Sequence, residues 1–313
     1  MFETPILFLI FNRLDTAQKV FETIKEQKPK YLYIAADWPR KHKKWEDEVC
    51  RKIREEILKQ VNWDCELKTL FRDENLWCKK AVSWAINRFF ENVEQGIILE
   101  DDCLPNSSFF WFCKVMLDKY KNDERVMHIS WSCLLPKKYH KKDSCIFTHY
   151  NHIRWRATWK RAWDLYDIKM KNLNDFIENW QINLITDNYF SKKVMLHHFK
   201  ECYDWRIDTW DYQRLYSTRI NNWLAIQPLE NLVSNIWFSE NALHTKNDFG
   251  LSNLKTQEID YKNLKYPQNF ILNKEYRRYE EKYVQLSFKQ YIANILRKIW
   301  IYKIVAKILW YNT

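Results

Sequence analysis

The chain has 313 residues, of which 46% are hydrophobic and 29% charged, and its formal net charge is +11. Such a length suits one large domain or two small ones, and the apolar fraction excludes a disordered chain. No apolar run nears the roughly 18 residues of a membrane span, and the apolar run Pro5–Phe11 lacks the basic leader and cleavage site of a signal peptide.

In chain order, Pro5–Asn12 reads as a buried strand, and Asp15 can cap a helix from Thr16 to about Gln27 that turns Val20, Phe21 and Ile24 inward. Lys30–Ala36 is a second strand, Trp45–Val61 an amphipathic helix and Glu66–Phe71 a third strand. Lys79–Val93 is a helix with Val82, Ile86 and Phe89/Phe90 on one face. Gly96–Leu99 is a fourth strand, running straight into Glu100, Asp101 and Asp102. A helix starts at Ser107 or Ser108, and Arg125–Ser130 reads as a fifth strand. Helices are expected at 159–171, 174–184, 188–203 and 209–219, and a strand near 223–227. Residues 251–286 are polar and carry no clear periodicity. In 287–310, Phe288, Ile292, Ile295, Ile299, Tyr302 and Leu309 recur at helical spacing with basic residues between them. Strand–helix alternation predicts an α/β fold, a mostly parallel sheet flanked by helices. Ligands of such sheets bind at the carboxyl ends of the strands, where Asn12/Arg13, Asp37, Arg72 and Glu100–Asp102 stand. The expected organisation is a main domain over 1–250, with halves of about 1–130 and 131–250, followed by an extension over 251–313.

The last 27 residues hold five basic side chains and no acid, so without them the charge falls from +11 to +6. A basic amphipathic helix over 287–310 fits the surface of an anionic membrane, or packing against the domain itself. The basic clusters lack the aromatic interleaving of a nucleic-acid surface, and the acidic triplet would repel a polyanion, so no nucleic acid is expected as partner. Eight scattered cysteines without CxxC or Cys/His spacing predict neither a zinc site nor a disulfide framework and suit a reducing, cytoplasmic setting. The adjacent carboxylates Glu100, Asp101 and Asp102 repel one another. At a sheet's carboxyl edge they fit a hard cation such as Mg²⁺ or Mn²⁺ together with a hydroxylated ligand, or else form a solvated acidic turn.

The run Gly96-Ile97-Ile98-Leu99-Glu100-Asp101-Asp102-Cys103-Leu104-Pro105 resembles the acidic-motif strand of GT-A-fold nucleotide-diphospho-sugar glycosyltransferases, closest to a bacterial group related to the inverting N-acetylglucosaminyltransferases. Pro5–Arg13, Ala35–Arg40, Asn75–Cys78, Ala157–Trp163, Trp210–Gln213, Asn231–Phe238 and Ala242–Thr245 resemble further motifs of that group in the same order, covering about residues 5–245. The resemblance implies a GT-A (Rossmann-like) fold and transfer, expected to invert, of a sugar from a nucleotide diphosphate donor such as a UDP-sugar to a saccharide or glycolipid acceptor. It implies that Asp102 and His244 bind Mn²⁺ or Mg²⁺. Glu100 and Asp101 would hold sugar or ribose hydroxyls, and Arg13, Asp37, Arg40 and Asn75 the nucleotide. Asp211 would be the general base. The setting would be the cytoplasm, with docking on the inner face of the plasma membrane through 287–310. The alternatives are a catalytically inactive nucleotide-binding homologue and a basic nucleic-acid-binding protein.

Two counts set this chain apart from the group. It has two glycines and 17 tryptophans, whereas average usage would give roughly 22 glycines. Trp38, Trp77, Trp131, Trp155 and Trp237 stand where the group carries glycine, at turns or close ligand approaches where an indole is expected to clash. A gene whose UGA codons are read as glycine accounts for both counts, with Trp159, Trp163 and Trp210 as true tryptophans. A tryptophan-rich homologue is the alternative.

Overall fold

The computed structural model describes residues 1–131, 136–137, 140, 142–149, 156–184, 186, 188–236, 253–270, 272, 275 and 277–279. Trp155, Trp237, His244 and the expected helix over 287–310 lie outside the described residues.

Five consecutive apolar residues form strand β1 (Ile6–Ile10), and all five are buried. A strand buried on both faces belongs in the middle of a sheet covered by helices on either side. β1 lies between two parallel neighbours, β2 (Tyr31–Ala36) and β4 (Gln95–Glu100), with Phe8 opposite Ile34 and Leu99. β3 (Glu66–Phe71) pairs parallel to β2 at the sheet's edge and is the most exposed of the four. Its lysine and glutamate suit an edge that must not pair further.

Side-chain alternation along β1, β2 and β4 divides the core. Phe8, Ile10, Ile34, Ile97 and Leu99 pack against helices α1 (Leu14–Gln27), α2 (Trp45–Lys59) and α4 (Ser107–Lys119). Leu7, Leu9, Tyr33, Ala35 and Ile98 pack on the other face, against Ala85, Ile86, Phe89 and Phe90 of α3 (Trp77–Phe90). Gly96 is one of the chain's two glycines. A Cβ there would lie 2.3 Å from the Phe89 ring and 2.9 Å from the Pro5 carbonyl, so close helix–strand packing demands glycine.

The second half extends the same sheet. β8 (Arg156–Trp159) runs antiparallel beside β4, then come β6 (Val126–Ile129), β9 (Leu224–Pro228) and β7 (Cys145–Thr148). The eight-stranded order is β3-β2-β1-β4-β8-β6-β9-β7. The ladders β3/β2, β2/β1, β1/β4 and β6/β9 are parallel, and the other three antiparallel. The α/β class and mostly parallel sheet expected from the sequence are therefore present. A small antiparallel pair, β5 (Cys103–Pro105) with β10 (Val233–Asn235), stands apart. Helices α5 (Lys160–Trp163), α6 (Leu173–Glu178), α7 (Tyr189–Tyr203) and α8 (Asp211–Ile220) complete the chain order, the last three enclosing their own apolar cluster around Phe176, Phe199 and Tyr216. Residues 253–270 lie back on the domain: the Glu258 carboxylate accepts from the Ser107 and Ser108 amides at the start of α4, and Phe270 stacks on Phe147 at 4.6 Å.

Several local expectations change. The helix expected over 159–171 is only Lys160–Trp163, and Arg156–Trp159 is drawn into the sheet between β4 and β6, which sets its start. The helix expected over 174–184 stops at Glu178 and resumes as a 3-10 turn over Gln181–Leu184, interrupted at Trp180 with φ 53°. Asp15 lies in the first turn of α1, whereas Arg13 occupies the capping position without a side-chain cap. Strands β5, β7, β8 and β10 have three or four residues each, too few to show a period. No disulfide joins any two described cysteines.

Two sets of tryptophans contrast. Trp159, Trp163 and Trp210 are buried, with the Trp159 indole donating to the Leu117 carbonyl at 3.2 Å and that of Trp163 to Asn87 Oδ1 at 2.6 Å. Trp77, Trp180 and Trp205 are 53%, 71% and 51% exposed and have φ of 65°, 53° and 58°, the left-handed region that favours glycine. Trp38 lies at the surface with the Arg54 guanidinium 5.4 Å from its ring, and Trp131 packs into the main core.

Candidate functional site

β1 and β4 are neighbours whose connections leave in opposite directions, since β2 and β3 lie on one side and β8 and β6 on the other. Strand order reverses at this point, and α/β sheets open a ligand crevice there, outside the carboxyl ends of the strands. The end of β1 delivers Phe11, Asn12 and Arg13, and the end of β4 delivers Glu100, Asp101 and Asp102.

Arg13 bridges the ends of the two strands. One guanidinium nitrogen pairs with Asp101, and the other lies 3.0 Å from Asp102 Oδ2. The Arg13 side chain keeps 23% of its surface exposed, against 2% for Asp101. Asp101 Oδ2 also accepts from the Phe11 amide at 3.3 Å, and Asp102 Oδ1 accepts from the Cys103 thiol at 3.0 Å. Burial pushes the Asp101 carboxyl up to about 6, with Arg13 pulling it down and Asp102 pushing it further up. Burial disfavours the Arg13 charge, but Asp101, Asp102 and Glu100 outweigh it and hold the guanidinium above its ordinary value. The switch point thus holds a buried carboxylate pair bridged by one partly exposed cation.

Asp37 stands one residue past the end of β2, and both its carboxylate oxygens accept from the Leu76 amide at 3.1 Å. Burial raises its pKa, opposed by the amides of Leu76, Trp38 and Trp77. Asn75 donates to the Trp38 carbonyl and accepts from the Trp77 amide at 3.3 Å. Asp37 and Asn75 therefore both accept from amides at the start of α3. Arg40 is paired: its Nε lies 2.9 and 3.0 Å from the two oxygens of Glu46, which is wholly buried. Asn12 Nδ2 donates to the same carboxylate at 3.0 Å, which ties Arg40 to the end of β1 and to the first turn of α2.

Asp211 opens α8, and its amide donates to Thr209 Oγ1 at 3.4 Å. It faces Arg156 of β8, a fully buried guanidinium 4.2 Å from the Trp210 ring. Burial lowers the Arg156 pKa to about 10, with the charges of Glu100, Asp211 and Tyr166 working to raise it. Arg156 pairs in register with Ile98, two residues before Glu100, and the charges of both Glu100 and Asp211 act on it.

His244 lies outside the described residues, and among those described no three His, Cys, Asp or Glu side chains gather as a cation cage. Asp102 offers a carboxylate at the crevice floor, with Asp101 beside it. That incomplete set fits Mg²⁺ or Mn²⁺ only when substrate phosphates complete the shell.

Sequence reasoning missed Glu46, Lys79, Arg156 and Asp208. Glu46 had a weak signal, as an acid in the first turn of a predicted helix. The others owe their place to partners distant in sequence and carried no local signal.

No family profile matches the chain, and no curated protein matches it in sequence. Among solved structures it has a distant similarity to HddC from Yersinia pseudotuberculosis. In its complex with GMP-PN that protein gives a TM-score of 0.30 at 9% identity, over 50% of this chain and 77% of that one. A second structure of HddC gives 0.28 at 9% identity, over 50% and 74%. The fold class rests on strand order and register, which define an α/β protein with Arg13, Asp101 and Asp102 at its topological switch point. Among the described residues no helix is long and apolar enough to cross a membrane.

Proposed function

We propose that this chain is a glycosyltransferase that moves a sugar from a nucleotide diphosphate donor, with UDP as the nucleotide, to a hydroxyl of a saccharide or glycolipid acceptor. The observation that carries the reading is the Arg13 bridge over Asp101 and Asp102 at the switch point between β1 and β4, with Asp37 one strand away. A nucleotide diphosphate needs a cation at its phosphates and polar groups at its base and ribose. The crevice offers Arg13 for the first, and Asp37, Asn75 and Glu100 for the second. Asp102 would hold Mn²⁺ or Mg²⁺ arriving with the donor, which when bound neutralises charge on the diphosphate.

In the transfer itself an acceptor oxygen forms a bond to the anomeric carbon while the bond from that carbon to the diphosphate oxygen breaks. Asp211 takes the acceptor proton, and Arg13 stabilises the departing anion. The sequence resemblance favours inversion at that carbon. The same reading places the protein at the inner face of a plasma membrane through the basic segment 287–310.

The test is thermal-shift binding of UDP with and without Mn²⁺, on this sequence, on its Asp102→Asn variant, and on a version with glycine at 38, 77, 131, 155 and 237. Manganese-dependent stabilisation that Asp102→Asn abolishes supports the reading. Silence of the folded protein and of its glycine version toward UDP refutes UDP as the ligand. Binding without transfer to any acceptor favours the inactive homologue, a reading to which the exposed Trp38 and Trp77 beside Asp37 lend weight.

A further inference from the structure

A helix begins with four backbone amides that have no partner inside it. At the start of α3 the consecutive amides of residues 76 to 79 all find side chains. Leu76 donates to Asp37 and Trp77 to Asn75, both on the proposed donor side of the crevice. Cys78 donates to Asp208 Oδ2 at 2.9 Å and Lys79 to Asp208 Oδ1 at 3.0 Å. Asp208 comes from the other half of the chain, in the connection between α7 and α8, three residues before Asp211. Two further ties run parallel to it. The buried Lys79 ammonium donates to the Cys202 carbonyl at 3.0 Å and lies 4.0 Å from the Trp205 ring centroid. Ser83 Oγ lies 3.1 Å from the Tyr166 hydroxyl.

We propose that Asp208 is a positioning residue. It clamps the connection that leads into α8 onto the first turn of α3, and so fixes Asp211 relative to the Asp37 end of the crevice. This inference rests on the glycosyltransferase reading for its catalytic consequence, but the clamp itself does not. Two hydrogen bonds from one carboxylate define an orientation as well as a distance, and the nearby Thr209–Asp211 contact transmits it within three residues. Both halves of the crevice thus share one rigid helix end. The peptide between Trp210 and Asp211 cannot drift from Asp37 without breaking the Asp208 bonds.

Amide hydrogen exchange on the full chain, comparing Asp208→Ala and Asp208→Asn with the unaltered protein, tests the clamp without assuming any activity. In Asp208→Ala the Cys78 and Lys79 amides are expected to exchange at least tenfold faster, and residues 209–213 to accelerate with them, while α4 is unchanged. Asn keeps one acceptor oxygen and should fall between. Acceleration confined to residues 78 and 79 would reduce Asp208 to a helix cap and overturn the proposal. In UDP-sugar transfer, kcat of Asp208→Ala should fall at least tenfold with donor KM within about threefold, and Asp208→Asn should recover part of the rate. Loss of donor binding in step with kcat, or an unchanged kcat, overturns it. An unaltered protein that transfers no sugar, yet shows the coupled exchange, refutes the glycosyltransferase reading and leaves the clamp standing.

Discussion

Replacing Trp77, Trp180 and Trp205 together by glycine should stabilise the protein, against the rule that tryptophan-to-glycine changes are damaging. All three sit at φ between 53° and 65°. An L-residue with a side chain held in that region costs about 1–2 kcal/mol. Glycine removes this cost but gives back about 0.5–1 kcal/mol in the entropy of a looser unfolded chain. The net gain is about 0.5–1 kcal/mol per site. Little burial is lost, since each side chain is more than half exposed. The Lys79 contact to the Trp205 ring is the largest interaction given up, and such contacts contribute about 0.5–2 kcal/mol, so Trp205 should gain least. Trp77 and Trp205 both flank Lys79 at the start of α3 and couple through it, so only the Trp180 effect should simply add. Urea unfolding of the triple variant should then show a rise of roughly 1–2 kcal/mol. Trp163→Gly is the control. Its buried indole donates to Asn87, and its loss should cost at least the about 3–5 kcal/mol of a large core truncation. A triple variant no more stable than the parent would refute the strain argument. It would also remove the structural support for reading these codons as glycine. Of these three positions only Trp77 is also one where the sequence resemblance expected glycine, so Trp180 and Trp205 test the idea away from the sites that prompted it.

Three further outcomes are expected. Glu46→Gln leaves the Arg40 guanidinium without its buried counter-charge and should destabilise by about 3–5 kcal/mol in chemical unfolding; a loss under 1 kcal/mol would show that the pair is solvated. Burial, with His197 beside it, pushes the His198 imidazole down to about 4, whereas an unfolded histidine titrates near 6.5. Between those values the unfolded chain binds the extra proton, so the stability contributed by neutral His198 is present above about 6.5 and lost as pH falls toward 4. The stability difference between the parent and His198→Phe, measured from pH 7 to pH 4, should accordingly shift against the parent, and a flat difference would contradict the burial argument. Removing residues 287–313 should abolish cosedimentation with anionic lipid vesicles while leaving UDP binding intact; vesicle binding that survives the truncation would place the membrane contact elsewhere.

The sequence determined the first half of the fold almost alone. Continuous apolar runs at β1, β2 and β4, separated by amphipathic helices, leave a chain little choice but a covered parallel sheet. The position of Arg13, Asp37 and Glu100–Asp102 at the carboxyl ends follows from the same alternation, so one wall of the crevice was legible. The short strands β5, β7, β8 and β10 were not, because each pairs only when the rest of the sheet is present. Arg156 shows the consequence. In sequence it borders a predicted helix, whereas pairing with Ile98 buries it in the sheet, where the charges of Glu100 and Asp211 act on it. Asp37 and Asp208 lie far apart in the chain, and only tertiary packing sets both on the amides of one helix end. Local pattern records which residues want burial or a turn. Which distant carboxylate satisfies a helix's open amides depends on how the two halves of the chain dock.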